Sequence, residues 1–102
     1  MAEKIELKKS VEYSKGSIVS KQVLNKKTGT LTLFAFDAGQ SLSEHTAPYD
    51  AAIQVIEGAG RIVIGGEPHV LSEGEMIIMP ANVPHAVYAD ARFKMMLVMI
   101  LS

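Results

Sequence analysis

The feature that most restricts this chain is its punctuation: short β-like runs recur between turn residues, and no stretch carries a sustained helical period. The pattern predicts an all-β fold. Candidate strands are Ser17–Leu24, Thr30–Phe36, Ala51–Glu57, Gly60–Ile64, Met76–Met79, Pro84–Tyr88 and Phe93–Leu101. Turns separate them at Asn25-Lys26-Lys27, Asp37-Ala38-Gly39, Ala47-Pro48-Tyr49-Asp50, Gly65-Gly66, Ser72-Glu73-Gly74 and Pro80-Ala81-Asn82. The clearest turn is Gly65-Gly66, because a two-residue hairpin needs positive φ, which glycine adopts without steric cost. Ile62-Val63-Ile64 is therefore expected to pair antiparallel with Glu67-Pro68-His69-Val70. Short strands at regular spacing, with no helices to carry parallel crossovers, point to a sandwich or barrel.

At 102 residues and 48% hydrophobic, the chain suits one packed domain. That domain is read as residues 1–102, with the barrel at about 30–101 and residues 1–24 supplying edge or dimer strands. Ten basic against eleven acidic residues leave a net charge of -1, and the only lysine pairs are Lys8-Lys9 and Lys26-Lys27. Nothing here argues for binding a phosphate backbone, so nucleic acid is excluded as a partner. There is no cysteine, hence no disulfide and no thiol chemistry. The N-terminal residues lack the apolar core of a signal peptide, and the longest apolar run, Met95–Leu101, is too short to cross a bilayer. The expectation is a soluble, cytoplasmic protein with no membrane partner.

Two stretches carry the candidate chemistry. In the first, Gly39 is followed by five residues and His45; Ala47 lies two further on, three residues precede Ala51, and six more precede Gly58. In the second, Gly74 is followed by five residues and Pro80, then Asn82, and after two residues His85, with Ala89 four positions beyond. Taken together and in this order, the spacing resembles the two motifs of the cupin superfamily, over roughly Thr30–Leu101. The 15 residues between Gly58 and Gly74 suit its smallest single-domain members. The resemblance implies a small double-stranded β-helix, the jelly-roll barrel of cupins. It also implies a metal site in which the first motif supplies two histidines and an acidic residue, and the second supplies one histidine.

Only two of those four ligand positions match. His45 stands at the first histidine position and His85 at the second-motif histidine, while Ala47 replaces the other histidine and Ala51 the acid. Asn82 and Ala89 replace the second motif's usual glycine and asparagine. An alanine methyl donates nothing to a metal that takes four to six ligands, so two imidazoles and water would make a weak site. Asp50, on the turn before Ala51, is the candidate third donor, with Glu44 behind it; Asp50 also suits a plain turn, its carboxylate accepting local N–H bonds. Gln54 is placed on the outer face, because the phase the resemblance implies, carried along the strand by alternation, puts Ala51, Ile53 and Val55 inward.

His69 matches no ligand position and reads as a solvated or edge residue; Tyr49 and Tyr88 read as packed aromatics with wet hydroxyls. Met76, Met79, Met95, Met96 and Met99 lie on the late strands, where the interior members serve as adaptable apolar filler. The cofactor expectation is one divalent ion, Mn, Fe, Ni, Cu or Zn, weakly held, with no organic cofactor. Three functions are compatible with the residues. One is a barrel that binds a metal or a small organic ligand through His45 and His85; another is a metal-dependent dioxygenase, isomerase or decarboxylase; the last is a non-catalytic sensory or interaction module. The resemblance also implies a homodimer, formed by packed sheet faces or an exchanged N-terminal strand within Val11–Leu24.

Overall fold

The computed structural model describes residues 2–101. Its strands are β1 (Ile18–Lys26), β2 (Gly29–Phe36), β3 (Ser41–His45), β4 (Ala51–Glu57), β5 (Ala59–Ile64), β6 (Glu67–Ser72), β7 (Met76–Met79), β8 (His85–Tyr88) and β9 (Phe93–Ile100). A five-stranded sheet in the order β1-β2-β9-β4-β7 faces a four-stranded sheet in the order β3-β8-β5-β6, and all pairs are antiparallel. The predicted strands and the Gly65-Gly66 hairpin are present in this jelly roll, with Ile64 opposite Glu67.

Three departures have local causes. Ser41–His45 forms a strand that the sequence reading omits, because Leu42 is its one aliphatic residue and an edge strand shows no apolar period. Near the N-terminus, Leu7–Ser10 forms a single helical turn, α1, within the segment expected to supply edge or dimer strands. Leu7 and Val11, four residues apart, both pack on the sheet beneath, and that burial holds the turn. The first hairpin turns at Lys27-Thr28, with Lys26 opposite Gly29, so β1 runs two residues beyond its expected end.

Between the sheets lies the main core, with Phe36, Phe93, Ile53, Ile62, Met95 and Val55 each at most 1% exposed. Full burial of such a side chain contributes about 1.5–3 kcal/mol. Phe36 and Phe93 stack at 4.7 Å between centroids, and Gly60 of β5 lies against the Phe93 ring. A Cβ at position 60 would sit 2.5 Å from Phe93 Cε2. Glycine is the residue that lets the two sheets approach here.

The five-stranded sheet is apolar on its outer face too. Leu7, Val11 and Tyr13 cover one end of that face, packing with Leu33, Ala35 and Ile56. Polar contacts fasten this segment: Tyr13 donates its hydroxyl hydrogen bond to Glu57, Lys94 donates to the Lys8 carbonyl, and the Lys94 ammonium lies 4.9 Å from the Tyr13 ring centroid. Burial, reinforced by the Glu57 bond, pushes the Tyr13 phenol above its ordinary range. Next along the chain, Asp37 accepts the Gly16 N–H at 2.7 Å and the Arg92 Nε–H at 2.7 Å. Those two bonds, the backbone one first, hold the Asp37 carboxyl down at about 2.

Two outcomes follow. Gly60→Ala is expected to lower stability by about 1–3 kcal/mol, measured by urea unfolding, because the stacked Phe93 ring has no free volume into which to retreat. Asp37 has its folded pKa depressed, so its contribution to stability is complete above the ordinary carboxylate value of 3.8 and is lost as pH falls towards 2. Asp37→Asn is therefore expected to flatten the acid limb of a stability profile followed by circular dichroism, relative to the native chain.

Candidate functional site

Strand alternation by itself would not bring the two histidines together. On β3, Leu42 lies opposite Val87 of β8 and both face the space between the sheets, so strict alternation would send Glu44 inward and His45 outward. A bulge between Leu42 and His45 inserts one residue and reverses the phase. His45 then stands directly opposite His85, with its ring on the same side as Leu42 and Val87.

The imidazoles meet edge to face, with centroids 4.3 Å apart and Nε2 to Nε2 at 3.1 Å. Each ring is oriented by the carbonyl two residues before it: His45 Nδ1 lies 2.7 Å from Ser43 O, and His85 Nδ1 lies 3.2 Å from Val83 O. A carbonyl oxygen only accepts, so the hydrogen of each neutral ring is assigned to Nδ1, which leaves a lone pair on each of the two facing Nε2 atoms. Two lone pairs so close repel unless something positive lies beside them, a proton on one ring or a cation bound by both. Neighbouring nitrogens on one first-row ion, at about 2.0–2.1 Å each and near a right angle, lie about 3 Å apart, so the pair fits a metal. The carbonyls provide the outer support that metal-bound histidines ordinarily have.

His85 is buried and His45 lies at the mouth, exposed to solvent. Behind them is a cavity of about 40 Å³, walled by Ala51, Met79, Met95, Leu97 and Met99. Ala47 and Ala51 both line this cavity together with the two histidines. Met79 and Met95 are interior filler as expected, whereas Met76 is 53% exposed. Asp50 is placed elsewhere: its Oδ1 accepts the Ala81 N–H at 2.8 Å and the residue does not line the cavity. Glu44 is exposed. Among the described residues, no three His, Cys, Asp or Glu side chains converge as a metal-holding group.

Of the remaining residues, Gln54 lies on the outer face of β4, His69 on the edge strand β6, and Tyr88 under the Arg61 guanidinium at 4.5 Å. Sequence reasoning missed the role of Asn82. It takes φ 65°, the left-handed conformation for which the usual residue is glycine, and asparagine tolerates it better than most. Its N–H donates to Ala47 O at 2.8 Å, tying the second motif to the first.

A cupin-domain family model matches residues 32–101, most of the chain. This chain belongs to the cupin family. The cupin is similar to a conserved protein of unknown function from Streptococcus pyogenes, 31% identical, TM-score 0.93, over 100% of this chain and 90% of that one. It also resembles a cupin 2 conserved barrel domain protein from Leptotrichia buccalis, 39% identical, TM-score 0.91, covering 94% of this chain and 47% of the other. A salicylate 1,2-dioxygenase from Pseudaminobacter salicylatoxidans shares the fold at 23% identity and TM-score 0.77, over 83% of this chain and 26% of its own. No curated protein matches the sequence. Among the described residues no helix is long and apolar enough to cross a membrane.

Because the cupin backbone around positions 47 and 51 already lines the cavity, Ala47→His with Ala51→Glu is expected to tighten binding of Zn or Mn by about tenfold or more. Calorimetric titration of the two proteins checks this. Equal affinities in two folded proteins would show that these positions do not address the histidine pair.

Proposed function

We propose that this cupin binds one divalent first-row metal ion through His45 and His85, weakly, and that a small organic ligand approaches the same point from the apolar cavity. The observation that carries this reading is the approach of the two Nε2 atoms to 3.1 Å, each ring held by a carbonyl on its other nitrogen. Imidazole suits Fe, Ni, Cu and Zn better than Mn, and a two-nitrogen set selects none of them strongly. A bound ion would supply Lewis acidity to an oxygen-bearing ligand.

The chain's own residues define the rest. His85, buried and on a strand with neighbours on both sides, is the fixed donor, while His45 closes the site from the mouth. Methionine and aliphatic walls exclude water and leave the ligand's polar end one place to go, the histidine pair. A cavity of about 40 Å³ admits only a small group, so the larger part of any ligand would remain at the mouth beside Ala47.

The test is metal analysis of untagged protein followed by titration with Mn, Fe, Ni, Cu and Zn. One ion per chain is expected, lost in the His45→Ala, His85→Ala double variant and weakened by at least about tenfold in each single variant. Absence of binding by the native chain to all five ions would overturn the metal reading and leave the pair sharing a proton.

A further inference from the structure

Position 51, where cupins carry an acidic ligand, is alanine here, with a sulfur-bearing residue on either side of it. Ala51 of β4 lies opposite Met79 of β7 in one register and opposite Met99 of β9 in the other. Cross-strand partners share a face of the sheet, and all three residues line the cavity that His45 and His85 also line. The imidazoles come from the four-stranded sheet and these two thioethers from the five-stranded sheet, so nitrogen and sulfur meet across about 40 Å³. Met79 is 3% exposed, which keeps its sulfur out of water. Leucine would serve packing alone; a thioether adds a soft, polarisable donor.

We infer that Met79 and Met99 complete the site for a soft monovalent ion, Cu(I), held more tightly than any of the divalent ions. Only the placing of an ion at the histidine pair rests on the function proposed above. Charge is the first reason. Among the described residues no carboxylate lines the cavity, and Asp50 is engaged by the Ala81 N–H, so the donors on offer are two imidazoles and two thioethers, all neutral. An ion among neutral donors and apolar walls keeps its whole charge, and the desolvation penalty grows as the square of that charge. A monovalent ion meets roughly a quarter of the penalty of a divalent one.

Geometry is the second reason. With metal–nitrogen bonds of about 2.0 Å, nitrogens 3.1 Å apart subtend roughly 100° at the ion. That angle is far from the straight line in which two imidazoles suffice for Cu(I), so the coordination sphere is open to further donors. Thioethers are soft ligands that select Cu(I) and have little to offer Mn. Three side-chain torsions let each methionine sulfur swing to the ion with the backbone fixed. Met95 lies opposite Val55 in the main core, two inward positions along β9 from Met99, and remains packing.

The native chain, with isotopically labelled methionine methyls, is titrated with Ag(I) as a redox-inert stand-in for Cu(I) and followed by NMR. One ion per chain is expected, shifting the methyl signals of Met79 and Met99 while that of Met76, 53% exposed and outside the cavity, stays in place. Cu(I), kept reduced by ascorbate and competed with bicinchoninate, should bind on the order of a hundredfold more tightly than Zn. Met79→Leu and Met99→Leu nearly conserve volume, so each should weaken Cu(I) by about tenfold while Zn affinity moves by less than about twofold. Unmoved Met79 and Met99 methyls, or equal Cu(I) affinity in the native chain and the double leucine variant, overturn the inference and leave divalent binding at the histidines standing. A loss shared equally by Zn marks plain loss of packing and overturns it too, as does a native chain that takes neither Cu(I) nor Ag(I). Cu(I) binding with these shifts, in a chain that takes none of the divalent ions, supports the inference and overturns only the divalent reading.

Discussion

Strand β9 is the piece on which the rest is assembled. It pairs with β2 on one side and β4 on the other, and its alternation sends Phe93, Met95, Leu97 and Met99 to the inside and Lys94, Met96, Val98 and Ile100 to the outside. The inner set begins in the aromatic stack with Phe36 and ends as the wall of the cavity behind the histidines. The outer set begins under the N-terminal segment, where Lys94 is anchored, and ends at Ile100, which is exposed. One strand thus joins core, site and surface. A slip of one residue in its register would exchange these sets and dismantle all of them together.

Much of this was legible from residue types. Inward placement of Ala51, Ile53 and Val55 followed from alternation in the phase that the resemblance implied, and the glycine pair at 65 and 66 specified its hairpin. The two motifs singled out His45 and His85 but not the strand that carries His45, and Ala47 and Ala51 faced the cavity as their motif positions implied. What alternation could not reveal was the bulge that turns His45 inward, because a bulge leaves no period of its own and Leu42 is the one apolar residue that marks the phase. Asp50 was ambiguous for a related reason: a carboxylate on a turn serves a backbone N–H or a metal equally well, and only the position of Ala81 decides between them.

The outer face was hidden by a different effect. Strands that are apolar on both faces look like continuous hydrophobic runs, so Met95–Ile100 does not show which of its residues face the core. Nothing in the run says which half meets the core and which half meets an N-terminal turn. The helical turn at Leu7–Ser10 is similarly invisible, being too short for periodicity and held by what it covers rather than by its own propensity.

The two imidazoles belong to supports of unequal firmness. His85 starts a strand flanked by β3 and β5, whereas His45 ends a five-residue strand that has one neighbour and an irregular register against it. Edge segments with few backbone bonds open at lower free energy than strands in the middle of a sheet. An ion held as proposed would have one firm arm and one compliant arm, and the excursions of β3 would set how it leaves.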